Sequence, residues 1–381
     1  MAQYRNPLSG PAQTGDWYTN YCGAAKLYCI SAPGGYQNPI NDPAHSDVGM
    51  SGALAGTTAS YDQGNGTSYA APMVTGAVAV VAEKYPWMTN KNLSVTILTT
   101  GTTASNPSDI WGRGLLDLGK AINGPAIFEE DFEANVTTGY ASTFSNVISG
   151  TAGIKKLGVG SLTLSGINTF AGSTYLNGGS LVVNAMSGLG AATNALQFDG
   201  GTLKFGTNFD LTRDVNVATG GGMLDINGYT KTQTFNITGT GSFGIKGGGT
   251  FTLDRTNSSN IGFVVGSSVD TTRTVVNAPN NAYLGDASGG VTLNNGQLDL
   301  GSFNSATSFS RQLAVGSGNG WFNASNALTY TLSTIDKAAD GTAGILYFTD
   351  KVLSISGSLA LNAYWGGNYT VASGTTLSGT G

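Results

Sequence analysis

Ser68 lies in the run Gly66-Thr67-Ser68-Tyr69-Ala70-Ala71-Pro72-Met73-Val74-Thr75-Gly76. The small and apolar residues after it, among them Ala70, Ala71, Val74, Ala77, Val78, Val80 and Val81, predict a helix from Ser68 to about Tyr85. It is apolar almost all round and is therefore expected to be buried. Pro72 is placed in its first turn, where a missing N–H costs little. A serine on the N-terminal turn of such a helix faces free amides and the positive end of the dipole, which stabilise negative charge. A serine oxygen attacking a carbonyl needs that environment. Small residues at 66, 70 and 71 let a second backbone approach. The same serine could simply cap the helix, and on residue chemistry alone the cap is the stronger reading.

Other reactive residues are few. Cys22 and Cys29 cannot by themselves complete a structural zinc site; in an oxidising compartment they could close a small disulfide loop. The single histidine, His45, stands in Asn41-Asp42-Pro43-Ala44-His45-Ser46-Asp47 and reads as a surface-loop residue. The acidic run Phe128-Glu129-Glu130-Asp131-Phe132-Glu133 could be a cation site or an acid/base pair. A solvated linker is the stronger reading, because no ligand spacing recurs nearby. No metal or cofactor is called for. The net charge of -5 without a basic patch argues against a nucleic-acid partner. No apolar run reaches the ~18 residues of a membrane helix; the best, from Ala70 to Ala82, is broken by Pro72, Thr75 and Gly76. The N-terminus lacks the apolar stretch of a signal peptide, so an export signal is expected outside this chain.

The elements that must position these residues fall into two kinds. Composition changes near residues 123–150. Before it, Thr89 reads as the N-cap of a second helix carrying Leu93, Ile97 and Leu98, and Trp111-Gly112-Arg113-Gly114-Leu115-Leu116-Asp117-Leu118 reads as a turn into a short strand. After it, the chain is repetitive. Gly160-Ser161-Leu162-Thr163-Leu164-Ser165-Gly166 alternates apolar and polar residues between glycines, and the pattern returns at residues 179–184, 200–205, 249–253 and 296–300. Short alternating strands cut by Gly and Asn at a nearly even interval are the mark of a solenoid, each coil burying its apolar side only by stacking on the next. A β-sandwich would also alternate, but explains the recurring Gly-Gly-x-Leu units less well.

The Ser68 segment resembles the nucleophile motif of the subtilisin-like serine proteases, Gly-Thr-Ser-x-Ala-(Ala/Ser)-Pro-x-Val-(Ala/Thr)-Gly, at every specified position. Ala32-Pro33-Gly34 resembles the Ala-Pro-Gly turn upstream of that motif, and Gly112-Arg113-Gly114-Leu115-Leu116-Asp117 the segment that closes the domain. Cys22 and Cys29 just before the Ala-Pro-Gly turn look more like the subtilisin-like autotransporter proteases of Gram-negative bacteria. Lys156 to Thr174, Asn227-Gly228-Tyr229 and Ile237 to Gly241 resemble the repeats of autotransporter passengers.

This resemblance implies a mixed fold: the C-terminal part of a subtilisin-like α/β domain over residues 1–124, a linker over 125–150, and an all-β right-handed parallel β-helix over 151–381. It implies a serine endopeptidase acting on proteins or peptides, with Ser68 as nucleophile within Gly66, Thr67 and Ser68, its own N–H as one oxyanion donor, and a Cys22–Cys29 disulfide. The family's Asp and His precede the serine by far more than the 67 residues available here, and His45 lacks the His-Gly-Thr-His context. The His, the Asp, the oxyanion Asn and most elements that cover the Ser68 helix are therefore expected upstream, leaving that helix exposed and this chain inactive alone. The resemblance places the parent at the bacterial surface, exported through the outer membrane and tethered to a barrel outside these residues. The competing reading is a non-catalytic surface passenger or adhesin with a protease remnant.

Overall fold

The computed structural model describes residues 2–3, 20–35, 50–53, 61–64, 66–257, 260–279, 281–285, 288–300 and 311–323, and then short stretches at 330–332, 334–337, 344–349, 353–355, 358–359, 363–366, 369–371 and 376–377. The chain divides into two units, Met1–Glu129 with Thr143–Gly150, and Glu130–Ser142 with Thr151–Gly381.

In the first unit, helix α1 spans Thr67–Lys84, α2 spans Asn90–Thr99 and α3 spans Leu118–Ala121. The cap expected at Thr89 is present in reciprocal form. The Asn92 N–H donates to Thr89 Oγ1 and the Thr89 N–H to Asn92 Oδ1, each at 3.2 Å, so two otherwise orphaned donors are satisfied. Leu93 and Ile97 of α2 are buried. Tyr85, at the end of α1, is buried with its ring edge-on to Phe144 and its Oη 2.9 Å from the carbonyls of Ile122 and Thr143. Burial pushes its hydroxyl up to about 12.

The sequence pattern overstated the burial of α1. Ala70, Ala77 and Val81 are buried, whereas Met73 and Val80 are exposed. One face packs Ala70 and Val74 against Ala32 and Leu116; Met73 and Val80 lie outside it. An apolar sequence states what a helix prefers, not what is at hand to cover it. Pro72 also differs from expectation. It lies inside α1, beyond the first turn, because the helix begins at Thr67. It can offer no N–H to the Ser68 carbonyl. The turn at 111–118 leads not to a strand but to a single parallel bridge, Leu115 on Ser31, and then α3.

The second unit is a parallel β-solenoid. Each coil adds a strand to one or more of three long parallel sheets. In one, Ser161–Leu164, Ser180–Val183, Thr202–Phe205, Gly222–Asp225, Ser242–Lys246 and Gly262–Val265 pair in succession. Their register stacks Leu162, Leu181, Leu203, Leu224, Ile245, Val265, Leu293 and Val315 in a single inward column, every member fully buried. A second sheet stacks Phe251, Val276, Leu298 and Phe322 in the same way. Outward positions carry polar or charged neighbours, such as Lys204 on Asp225 at 3.2 Å. At one corner Asn295 and Asn319 take left-handed backbone, φ 56° and 66°, which asparagine tolerates better than most residues. The Asn295 N–H donates to the Asn319 carbonyl and the Ile345 N–H to Asn319 Oδ1, both at 2.8 Å, so the corner is bonded from coil to coil.

Among the described residues of this unit Lys156, Arg213, Lys231 and Arg311 are buried, and three of them bond to backbone carbonyls. Lys156 is fully buried, its Nζ donating to the carbonyls of Leu157, Gly158 and Gly178 at 2.7, 3.0 and 3.1 Å. Arg213 donates to the Leu189 and Gly190 carbonyls and Arg311 to those of Gly289 and Gly285. Each ties together backbone carbonyls at the ends of strands and in turns.

Two outcomes follow from these columns and cations. Leu224→Ala, in mid-column, lowers the unfolding free energy in urea by about 2–5 kcal/mol, whereas Thr163→Ala on the outer face changes it by less than ~0.5 kcal/mol; equal effects would mean the column is not the core. Burial pulls the Lys156 ammonium down to about 8 from 10.5. Below about 8 both folded and unfolded chains hold the proton. Between about 8 and 10.5 the unfolded chain alone keeps it, so stability rises with pH. From pH 7 to 10 the wild type gains on the order of 1–3 kcal/mol relative to Lys156→Met; parallel pH profiles would overturn this.

Candidate active site

The N-terminus of α1 is built on one glycine. Gly66 has φ 134° and ψ 167°, a region open essentially to glycine alone, and its N–H donates to the Gly34 carbonyl at 2.7 Å. The chain thus turns sharply out of the hairpin Met50–Ala53/Tyr61–Gly64 and into the helix. Gly66 occupies the cap position, with no side-chain hydrogen bond there. Ser68 is the second helical residue and is exposed. This geometry removes the capping role that residue chemistry alone left open, since Ser68 is inside the helix rather than before it. Its N–H belongs to the first turn, whose amides have no intrahelical acceptors, so the hydroxyl and an open donor stand on the same turn. That arrangement can present a nucleophile and hold an oxyanion.

Activation of a serine needs a base. His45 lies outside the described residues, and no group of His, Cys, Asp and Glu that could hold a metal ion occurs among the described residues.

The strand-like stretch around Ala32-Pro33-Gly34 is fixed from the other side. The Arg113 N–H donates to the Cys29 carbonyl at 2.8 Å, Ser31 N–H to Gly114 at 2.9 Å and Leu116 N–H to Ser31 at 2.7 Å. Cys22 and Cys29 are disulfide-bonded, with Cα atoms 5.9 Å apart, around the helical turn Gly23–Tyr28. Gly112, at φ 60°, sits so close to this loop that a Cβ would meet the Cys29 carbonyl and Cys22 Sγ. Arg113 is the residue that sequence reasoning passed over. Only 3% of its side chain is exposed, and it donates to the carbonyls of Leu27 at 3.0 Å and Ala104 at 2.8 Å and to Glu129 at 2.6 Å. It thus binds the disulfide loop, a turn and the acidic run together. An arginine between two glycines was the available signal. In the second unit, Asp131 of the acidic run accepts the Gly153 N–H at 3.0 Å and pairs with Lys155 at 3.2 Å.

Residues 10–114 match the model of the subtilase family, Peptidase_S8. Over 185 residues the chain is 40% identical to the neisserial autotransporter lipoprotein NalP of Neisseria meningitidis serogroup B, covering 47% of this chain and 15% of NalP. An extracellular serine protease of Serratia marcescens is 30% identical over 251 residues, 53% of this chain and 24% of that protein. Serotype-specific antigen 1 of Mannheimia haemolytica is 33% identical over 153 residues, 40% of this chain and 15% of the antigen. The chain therefore spans between about a seventh and a quarter of the length of these relatives.

The disulfide closes a loop between residues seven apart in sequence, which restrains the unfolded chain by about 2–3 kcal/mol. A Cys22→Ser/Cys29→Ser variant is expected to lose that amount in urea unfolding of the first unit. Unchanged stability would show that the contacts of Arg113 and Gly112 suffice without the bond.

Proposed function

We propose that residues 1–124 supply the nucleophile end of a subtilisin-like serine endopeptidase and that the solenoid is the passenger stalk that carries it; the stretch 125–150, expected as a linker, already contributes the strand Phe132–Asn135 to a solenoid sheet. Ser68 attacks the peptide carbonyl, and its own N–H is one donor to the oxyanion, in the setting Gly66-Thr67-Ser68. The base and the carboxylate that orients it come from a His and an Asp outside these residues. The substrates are proteins or peptides. The parent protein acts at the bacterial surface or beyond it, exported through the outer membrane and held by a barrel domain also outside these residues. The observation that carries the reading is the exposed Ser68 on the open first turn of α1 within a segment matched by the subtilase model. The names of the relatives, an autotransporter lipoprotein and an extracellular serine protease, support the compartment.

A fluorophosphonate probe, which reacts with activated serines, tests the assignment. The 381-residue chain is expected to label at background, because a serine without its base forgoes most of the ~10⁶-fold that such a pair supplies. Together with the upstream part of the domain it labels, at Ser68, and Ser68→Ala abolishes the signal. Strong labelling of the 381-residue chain alone would show that a base is present within it and would overturn the assignment of the triad.

A further inference from the structure

Tyr69 follows the proposed nucleophile, and its ring does not point along α1 into the core. It lies over the hairpin Met50–Ala53/Tyr61–Gly64. A Cβ on Gly64 would run into Tyr69 Oη and Cζ and stand 2.9 Å from Cε2, and a Cβ on Gly52 would be 3.8 Å from Cε1. In the hairpin Met50 pairs with Gly64 and Gly52 with Asp62, so alternation puts Gly52 and Gly64 diagonally on one face. The two glycines leave a gap on that face of the adjacent strands, and the Tyr69 ring occupies it.

Two four-residue strands joined as a hairpin are not stable alone in water and need a covering group. The strand Tyr61–Gly64 also leads within four residues to Ser68. The span from Gly64 to Tyr69 is held at the Gly66 N–H, on Gly34, and at the Tyr69 ring, on the hairpin. Ser68 lies between these two anchors.

We propose that Tyr69 is a positioning residue for Ser68, its ring clamping the hairpin to the N-terminus of α1 through the gap that glycines 52 and 64 leave. The inference rests on Ser68 being the nucleophile. Misplacement of a reacting group by about 1 Å costs roughly 10²-fold in rate, so the clamp bears on catalysis without touching substrate.

The test uses the full-length protease and four variants: Tyr69→Ala, Tyr69→Phe, Gly64→Ala, and Gly64→Ala combined with Tyr69→Ala. Fluorophosphonate labelling at Ser68 is expected to slow by about 10- to 100-fold in Tyr69→Ala and in Gly64→Ala, which evicts the ring. The double variant is expected to be no slower than Tyr69→Ala, since no ring remains to displace, a coupling that independent sites do not show. Tyr69→Phe, which keeps the ring, retains the rate to within about threefold, and for peptide hydrolysis the loss in Tyr69→Ala appears in kcat rather than KM. Hydrogen exchange of the hairpin amides in the 381-residue chain, which needs no activity, is faster in Tyr69→Ala than in wild type. Additive losses in the double variant, a loss confined to KM, or unchanged hairpin exchange would each overturn the clamp. Persistent labelling of Ser68→Ala would instead sink the nucleophile assignment itself, so the two failures are distinguishable.

Discussion

The backbone of a parallel solenoid can bond only to the coils on either side of it, and that constraint governs most of this chain. A strand whose N–H and C=O groups must meet those of the next coil cannot shift by one residue, because the shift would turn its inward side chain out. Leu162, Leu181, Leu203, Leu224 and Ile245 recur at one register position because each coil repeats the same choice. The glycines and asparagines between strands serve the same constraint. Corners must turn within few residues and bring backbones together, as where a Cβ on Gly153 would meet the backbone of Ser173 on the next coil.

The corners also explain the buried cations. Where a turn leaves carbonyls facing inward, water is excluded and a bare oxygen would lose its hydration without replacement. Lys156 answers with three donors and Arg213 and Arg311 with guanidinium groups. The arrangement has a cost, visible in the lowered affinity of Lys156 and Arg213 for their protons, and a benefit, since Gly178 belongs to the coil after the one that carries Lys156.

The first unit obeys a different requirement. The role proposed for Ser68, that of a nucleophile, requires exposure on a rigid turn. Helix α1 meets the second need with a buried stripe, Ala70, Ala77 and Val81, and with the Gly66 bond to Gly34. It meets the first by placing Ser68 one residue inside the helix, where the hydroxyl is not consumed as a cap. The opposite stretch, residues 29–34, is held by the disulfide loop and by Arg113. Most polar contacts that shape this unit therefore fall on backbone rather than on other side chains.

The repeats and the serine motif were legible in the sequence because both are local. Alternation between glycines sets strand length and the inward face, so residues 160–166, 249–253 and 296–300 declared a stacked β-structure by themselves, and the Thr89 cap needed only a partner three residues on. What only the tertiary structure decided depends on groups distant in sequence. Which residues of α1 are exposed, Met73 and Val80 among them, depends on packing that an apolar composition cannot state, although the family resemblance already implied an uncovered helix. The start of α1 at Thr67, which moved Pro72 inside the helix and freed Ser68 from capping, followed from the φ of Gly66 and its bond to Gly34. Arg113 showed in the sequence only as an arginine between two glycines and Tyr69 not at all, because their partners, Leu27, Ala104 and Glu129 for one and Gly52 and Gly64 for the other, become neighbours only once the chain has folded.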